Sequence, residues 1–149
     1  MTMTFTGAFD FLSNFYPARI EADGIVYQNA EAAFQAQKCD DVADRNAFAK
    51  LSAVKAKRRG RQVKLRPSWD SVRVGVMEEV VRAKFRQNHD LAARLLGTGQ
   101  MPLVEGNDWG DTFWGVDVKT GKGENNLGKI LMKIREELFM QCRKGIGDE

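Results

Sequence analysis

The stretch that most constrains the fold reads RIEADGIVY and runs from Arg19 to Tyr27. Asp23 and Gly24 stand between two short runs of β-prone residues, where an Asp-Gly pair favours a tight turn between antiparallel strands. Asn29 follows, and its side chain can accept a hydrogen bond at the start of a helix. The next residues, AEAAFQAQK, are good helix formers. The sequence therefore predicts a β-hairpin that leads straight into a helix.

Helical patterns continue along the chain. A second helix is expected between Asp41 and Leu51. The clearest helix, WDSVRVGVMEEVVRAKFRQ, follows Pro67 and Ser68. Its predicted apolar face consists of Trp69, Val72, Val76, Met77, Val80, Val81 and Phe85. A shorter helix, DLAARLLG, is expected to end at Gly97.

The last third of the chain combines a loop and a helix. A β-like segment, PLVEG, leads into WGDTFWGVDVKTGKGENN, which is rich in glycine and aromatic residues. A final helix is predicted from Asn125 to Gln141. Its buried stripe is Leu127, Ile130, Leu131, Ile134 and Leu138. No repeat or linker divides the 149 residues, so we expect one compact domain, residues 1–149, that is mainly α (α+β with small β elements).

Composition excludes several classes of protein. The lone histidine, His89, has no second histidine or paired cysteine beside it, which removes a zinc site and a histidine-based triad. Cys39 and Cys142 match no metal-ligand spacing and are expected to be free thiols in a reducing cytosol. No apolar run approaches the ~20 residues of a membrane span, and the N-terminus shows no secretory signal. We therefore expect a cytoplasmic protein that binds neither metal nor membrane.

A basic segment occupies residues 50–66, KLSAVKAKRRGRQVKLR. It carries eight lysines and arginines and no acid, although the net charge of the whole chain is only +3. Such a run attracts phosphate groups, whether of a nucleotide or of a nucleic acid. A solvated helical face is the commoner explanation of a charge run, so basicity alone names no ligand.

Glu31 and Lys38 are the two charged residues of YQNAEAAFQAQKC. On a helix, Glu31, Gln35 and Lys38 share one face, and the backbone positions of the acid and the amine are roughly 10 Å apart. A ligand can lie along such a stripe between the carboxylate and the amine. From the spacing alone, a solvated surface stripe is the commoner outcome.

Two further segments are candidates for ligand contact. In the glycine-rich loop, Trp109, Phe113 and Trp114 offer flat surfaces for a base or a sugar. Asn125 or Asn126 can cap the final helix, whose N-terminus suits a phosphate. The alternative is a glycine-rich turn with tryptophans in the core. In FLSNFYP, residues 11–17, an asparagine beside two rings can present a polar edge to a ligand or form an Asx-turn within an aromatic cluster.

These motifs, taken in order, resemble the NADAR (YbiA-like) family. The matching segments are FLSNFYP, Y-x-x-x-E-x-x-F-Q-A-x-K, P-S-W-D with V-M-x-x-V-x-x-A-K-F, L-L-x-T-G, F-W-G-x-D and G-x-G-x-N-x-L-G-x-I-L-M-x-I-R. They extend from about Phe9 to Leu138, which is nearly the whole chain. The resemblance implies a single YbiA-like domain, mainly α-helical with a short β-hairpin.

The resemblance also implies N-glycosidase chemistry on ribosylated nitrogen compounds. The two implied substrate classes are ADP-ribose attached to guanine, including in DNA, and phosphoribosylamine intermediates of riboflavin biosynthesis. By motif position, the family's active site falls on Glu31, Lys38, Trp69, Trp114 and Asp117, with Asn14, Phe15 and Asn125 as ligand contacts. Glu31, Lys38 and Asp117 take the catalytic roles. The spacing of acids after WG varies among relatives, so Asp111 is the alternative second carboxylate.

We expect an enzyme that acts on a small nucleotide-like substrate as a monomer, without metal or cofactor. ADP-ribosylated DNA is a second possible partner. Two other classes stay open on the residues alone. One is a non-catalytic module that binds ADP-ribose or a nucleotide in the same pocket. The other is a nucleic-acid-binding protein built on the basic segment, whose affinity would fall steeply with salt.

Overall fold

The computed structural model describes residues 4–147, with side chains as far as Lys144. Within that range the elements are a 3₁₀ helix (Gly7–Leu12), β1 (Pro17–Ala22), β2 (Ile25–Asn29), α1 (Ala30–Ala36), α2 (Val42–Asn46), α3 (Ala53–Gly60), α4 (Trp69–Gln87), α5 (His89–Gly97), β3 (Gly106–Asn107), β4 (Val116–Asp117) and α6 (Asn126–Gly147). Each sheet in this part of the chain has two strands. The mainly α class with small β elements is confirmed.

The chain divides into two compact units. The mid-chain unit is Ser13–Asn88 and holds the first hairpin and α1 to α4. The terminal unit combines the described residues before Ser13 with those after Asn88. The two are described separately, and the single domain expected over residues 1–149 stays a prediction.

The predicted hairpin is confirmed in the mid-chain unit. Strands β1 and β2 pair in antiparallel fashion, with Ile20 opposite Tyr27. Asp23 and Gly24 both take positive φ angles, 51° and 81°, as a two-residue hairpin turn of the I′ type demands. Asn29 ends β2 and caps α1, because its side chain accepts a hydrogen bond of 2.7 Å from the backbone N–H of Ala32. The hairpin therefore leads directly into α1.

Helix α1 is the buried centre of the mid-chain unit. All seven of its residues are buried, and Ala30, Ala32, Ala33 and Ala36 have no exposed surface. Helices α2, α3 and α4 and both strands of the hairpin contact it. Since alanine has the smallest apolar side chain with a good helix propensity, its repetition here lets several elements approach one short helix closely.

The second predicted helix is shorter than expected. Helix α2 begins after Asp41, whose side chain accepts from the N–H of Ala43, but it ends at Asn46 rather than continuing to Leu51. The N–H groups of Phe48 and Leu51 bond to carbonyls three residues back, so the chain continues in tight turns. These turns bury Phe48 completely. Helix α3 then takes up part of the basic segment.

Helix α4 begins at Trp69, as predicted, and five of the seven residues of its predicted apolar face are buried, Trp69 among them. Met77, Val80, Val81 and Phe85 are buried, whereas Val72 and Val76 are only half-buried. These two valines line a groove with Glu21, Ala22 and Asp23 at the tip of the hairpin. Lys84, which carried no prediction, is 1% exposed and lies within the buried face.

In the terminal unit, α5 packs against α6, and every residue of the predicted stripe on α6 is buried. The 3₁₀ helix is tied to α5 by Arg94, whose guanidinium lies 4.3 Å from the ring centre of Phe11. Strand β3 pairs in parallel with β4. The strand predicted over PLVEG is wrong for most of its length, because Leu103 and Glu105 bond instead to the side chain of Asn125. Among residues 4–147, no helix combines the length and apolar character that crossing a bilayer requires.

Candidate active site

Glu31 and Lys38 lie at opposite ends of α1. Glu31 is in the first turn of the helix, and Lys38 follows its end in a turn where the N–H groups of Gln37, Lys38 and Cys39 bond three residues back. The predicted helix therefore tightens at its last residues. The two side chains interact electrostatically, with the Glu31 carboxylate favouring the charged form of the Lys38 amine. The joint role of these two residues in a site stays a prediction.

Glu31 is a buried acid with defined partners. Its side chain is 8% exposed, and one carboxylate oxygen accepts a hydrogen bond of 2.8 Å from Nε2 of Gln35. Its backbone N–H donates to the carbonyl of Asn14 at 3.0 Å. A carboxylate in the first turn also benefits from the positive end of the helix dipole. The carboxylate is held by the fold instead of being solvated, so the surface-stripe alternative fails for Glu31.

Lys38 is a half-buried amine in the mid-chain unit. Its Nζ donates to the carbonyl oxygen of Gly60, at the end of α3, over 3.2 Å. Its own carbonyl accepts from the N–H of Arg66 at 2.7 Å, so the basic segment folds back next to it. Burial lowers the pKa of Lys38, and the neighbouring Glu31 carboxylate partly offsets that effect. At a given pH, a larger fraction of the Lys38 amine is therefore neutral than of the amine of an exposed lysine.

The loop that carries Asn14 and Phe15 differs in exposure between the two residues. Asn14 is 7% exposed, and its side-chain amide contacts the sulfur of Met77 at 3.3 Å. Phe15 is 41% exposed, with the Lys57 amine 5.8 Å from its ring centre. Phe15 thus presents an aromatic surface, whereas the described contact of the Asn14 side chain is internal. Their role as ligand contacts stays a prediction.

Trp69 is only 6% exposed. Its ring packs against Phe34 of α1, with 5.4 Å between the ring centres, and the guanidinium of Arg66 lies 5.9 Å from it. Most of its surface is therefore covered by protein. Stacking of Trp69 on a base stays a prediction, and its described contacts support the packing of α4 against α1.

The terminal unit holds the other predicted site residues, Trp114, Asp117 and Asn125. Trp114 is partly exposed and meets Phe113 edge to face, with 4.8 Å between the ring centres. Its backbone N–H donates to the Asp111 carboxylate at 2.9 Å. The loop therefore presents Trp114 from a turn that Asp111 stabilises.

The two alternatives for the second carboxylate both bond to local backbone. Asp117 accepts from the N–H of Lys119 at 2.8 Å, and its backbone closes a turn with Gly121. Asp111 accepts from the N–H groups of Phe113 and Trp114. Each carboxylate thus has a structural use, and the catalytic role of Asp117 stays a prediction.

Asn125 joins two segments of the terminal unit. It takes a positive φ of 54° just before α6. Its side-chain oxygen accepts from the N–H of Glu105 at 3.0 Å, and its Nδ2 donates to the carbonyl of Leu103 at 3.0 Å. Both ends of the amide are therefore occupied by protein. Its predicted contact with a ligand is untested.

Lys84 is the buried group that sequence reasoning missed. Its Nζ donates to the carbonyl of Ser13 at 2.9 Å and lies 5.2 and 6.0 Å from the rings of Phe85 and Tyr16. It thereby anchors the start of the loop that carries Asn14. The available signal was its place between Val81 and Phe85 on an apolar face, where an exposed lysine is not expected. Within residues 4–147, no group of three or more His, Cys, Asp or Glu residues could hold a metal ion.

The chain is similar in sequence to known proteins of one family. Residues 4–139 match the family model of the NADAR domain. The N-glycosidase YbiA of Escherichia coli (strain K12) is 41% identical over 132 residues, which cover 87% of this chain and 81% of YbiA. An N-glycosidase of Nostoc punctiforme is 36% identical over 132 residues, covering 85% of this chain and 83% of that protein.

A riboflavin biosynthesis protein of Vibrio vulnificus is 44% identical over 131 residues. The match covers 86% of this chain but 35% of the Vibrio protein, so the chain spans about a third of that relative. Among solved structures, the NMR structure of the E. coli protein YbiA superposes with a TM-score of 0.81 at 37% identity, covering 95% of this chain and 88% of YbiA.

Proposed function

Since the chain belongs to the NADAR domain family and is an N-glycosidase, we propose that it hydrolyses the bond between ribose and nitrogen in a phosphate-bearing, nucleotide-like compound. The two candidate substrates are ADP-ribose linked to guanine and a phosphoribosylamine of riboflavin biosynthesis. This proposal rests on the buried Glu31 carboxylate in the first turn of α1 and the half-buried Lys38 amine in the turn that follows the end of that helix.

Glu31 is proposed as the central acid. Breaking the bond between the anomeric carbon and nitrogen develops positive charge on the sugar, which a nearby carboxylate stabilises. Because Glu31 is 8% exposed, water screens its charge weakly. Gln35 holds one carboxylate oxygen of Glu31 with a hydrogen bond of 2.8 Å. The carboxyl group can activate water or pass a proton to the leaving nitrogen.

Lys38 is proposed as the nucleophile of the reaction. In this step the neutral amine attacks the anomeric carbon, the bonds from that carbon to the leaving nitrogen and to the ring oxygen break, and a C=N bond to Nζ forms. The two protons of the amine pass to the leaving nitrogen and to the ring oxygen. Water then hydrolyses the imine and returns the amine and the free sugar. The lowered pKa of Lys38, caused by burial, supports this role because only the neutral amine can attack.

The basic segment supports a substrate that carries phosphate. Arg59, Lys64 and Arg66 line a cleft of about 500 Å³ on the mid-chain unit, together with Cys39 and three aspartates. Because the three aspartates offset the charge of the three basic side chains, we propose that a phosphate group is held there by direct hydrogen bonds from Arg59, Lys64 or Arg66 rather than by net charge. The exposed remainder of the segment, including Arg58 and Arg61, favours an ADP-ribosylated nucleic acid as partner. The name of the Vibrio relative supports the riboflavin intermediate.

The other predicted site residues enter the proposal in secondary roles. Asp117 is proposed as a helper carboxylate. Phe15 and Trp114, which are at least partly exposed, are proposed to contact the base or the sugar. Asn14, Trp69 and Asn125 complete the proposed binding set. We propose that the enzyme acts in the cytoplasm as a monomer.

A parallel assay on the two substrate classes tests the proposal. The purified chain is incubated with an oligonucleotide that carries ADP-ribosylated guanine and, separately, with a phosphoribosylamine of the riboflavin route. We expect release of ADP-ribose or of ribose 5-phosphate, detected by mass spectrometry. Binding of both compounds without release of sugar would contradict the proposal and leave a nucleotide-binding module.

A further inference from the structure

Gln35 is the residue of the polar stripe to which no role has yet been given. It lies between Glu31 and Lys38 and is 7% exposed. Its Nε2 donates to the Glu31 carboxylate at 2.8 Å. The opposite orientation of this amide would place its oxygen against the carboxylate, so the amide has one favourable orientation. Gln35 therefore fixes one oxygen of the proposed catalytic acid.

Gly60, the last residue of α3, leaves the space that Gln35 occupies. A Cβ added to Gly60 would lie 1.9 Å from Oε1 of Gln35 and 2.6 Å from its Cδ. Gly60 has no positive φ, so backbone conformation does not require glycine there. Glycine inside a helix costs about 0.5–1 kcal/mol relative to alanine. Close approach to Gln35 is thus the physical reason for glycine at this position.

The same glycine also holds Lys38. The carbonyl oxygen of Gly60 accepts the hydrogen bond from Nζ of Lys38 at 3.2 Å. One residue of α3 therefore contacts both the amine and the amide that binds the acid. The contacts between α1 and α3 set the places of both groups in the mid-chain unit.

The Gln35 amide is held from one side only. Its Oε1 is buried and has no hydrogen-bond partner among the described residues. The bond to Glu31 and the space above Gly60 are therefore what keep the amide in place. A side chain at position 60 would push the amide out of that space, and this displacement would weaken the hydrogen bond to Glu31.

We propose that Gln35 is the positioning residue for Glu31, and that Gly60 maintains this arrangement by having no side chain while its carbonyl locates Lys38. The consequences for activity rest on the proposed function. The consequences for the protonation of Glu31 rest on the contacts alone.

Four variants and a matched control test the inference. Gln35→Met keeps the volume of the side chain and removes the donor, whereas Gly60→Ala displaces the amide. Gln35→Ala removes the amide, and the double variant Gln35→Ala with Gly60→Ala has neither the amide nor the clash. Gly75→Ala in α4 is the control, because a Cβ there meets nothing within 4 Å. Melting temperatures confirm that each variant folds.

We expect Gln35→Met and Gly60→Ala each to lower kcat by about 10- to 100-fold with KM nearly unchanged, since small displacements of reacting groups have effects of this size. Adding Gly60→Ala to Gln35→Ala should lower kcat by less than about threefold further, because the clash is gone. Gly75→Ala should behave as wild type. Independent effects that multiply in the double variant would overturn the inference, as would a Gln35→Met variant with wild-type kcat.

A measurement without substrate separates this inference from the proposed function. In a carbon-13 NMR titration, the midpoint of the Glu31 carboxyl should move to higher pH in Gln35→Met, because the lost N–H donor had favoured the charged form. Lys38, whose amine interacts with the Glu31 carboxylate, is retained in both proteins. An unchanged midpoint would overturn the inference even if the enzyme is active. A shifted midpoint in a protein that turns over neither substrate would overturn the proposed function alone.

Discussion

The backbone N–H of Glu31 donates a hydrogen bond of 3.0 Å to the carbonyl oxygen of Asn14. The first N–H groups of a helix have no partner within the helix, and the loop around Asn14 supplies one. Lys84 holds the preceding carbonyl of that loop, at Ser13. A backbone hydrogen bond therefore joins two segments that were named separately as candidate parts of a site. Asn14 holds the backbone of Glu31, the proposed catalytic acid, and Lys84 holds the loop that carries Asn14.

Replacing Glu31 by glutamine should abolish catalysis while leaving substrate affinity within a few-fold. The amide keeps the shape of the side chain but removes the negative charge that stabilises the developing cation. We expect kcat to fall by at least about 100-fold, measured as release of free sugar. Glu21→Gln, at an exposed position of β1, serves as the control. Turnover within a few-fold of wild type would remove Glu31 from the mechanism.

Borohydride should trap a covalent adduct between the sugar and Lys38. Reduction of the imine adds the mass of the opened sugar to the intact protein, and peptide mapping should place it on Lys38. Lys38→Met should give no adduct, whereas Lys129→Met, at an exposed position of α6, should still give it. Near-normal activity of Lys38→Met without any trapped adduct would reduce Lys38 to a binding group.

The stability of the chain should depend on pH through Lys38. Burial lowers the pKa of this amine from its ordinary 10.5, so the unfolded chain binds more protons there between the lowered value and 10.5. The contribution of Lys38 to stability must then rise with pH across that window. We expect Lys38→Met to melt at a higher temperature relative to wild type near neutral pH than near pH 10. A difference in melting temperature between Lys38→Met and wild type that is the same at all pH values would contradict this.

Replacing Asn125 by glycine should lower stability by about 1–3 kcal/mol, because the carbonyl of Leu103 and the N–H of Glu105 lose their partner. Glycine accepts the positive φ of 54°, so the change isolates the side-chain bonds. Urea unfolding measures the loss, and substrate affinity measured on the same variant tests the predicted ligand contact. Gly99→Ala, at φ 64° with open space, shows the cost of strain without lost hydrogen bonds. An unchanged urea midpoint would mean that the hydrogen bonds of the Asn125 side chain do not stabilise the fold.

The parts of the fold that local chemistry determines were predictable. Asp23 and Gly24 specify the hairpin turn, Asn29 specifies the start of α1, and the apolar stripe of α6 needs only helical periodicity. The same reasoning was wrong about PLVEG, because a side chain twenty residues later, Asn125, takes the backbone groups that a strand would use. It also overestimated α2, because the chain after Asn46 continues in tight turns, in which Phe48 is buried.

The residues of the candidate site were named from the sequence, whereas the residues that support them in the structure were not. Glu31 and Lys38 followed from spacing and from the family resemblance. Gly60 did not, because its importance depends on the approach of α3 to α1, which no local pattern encodes. Lys84 was missed for the same reason, since its partner Ser13 is 71 positions away in the chain.

The contrast between the two cysteines has a practical consequence. Cys39 is 3% exposed, and burial raises the pKa of its thiol, whereas Cys142 on α6 is exposed. Because the thiolate is the reactive form, a maleimide dye should label Cys142 and spare Cys39, which adjoins Lys38. The natural sequence therefore already provides a selective attachment point for a fluorophore, and ligand titrations can be followed optically without engineering the proposed catalytic helix.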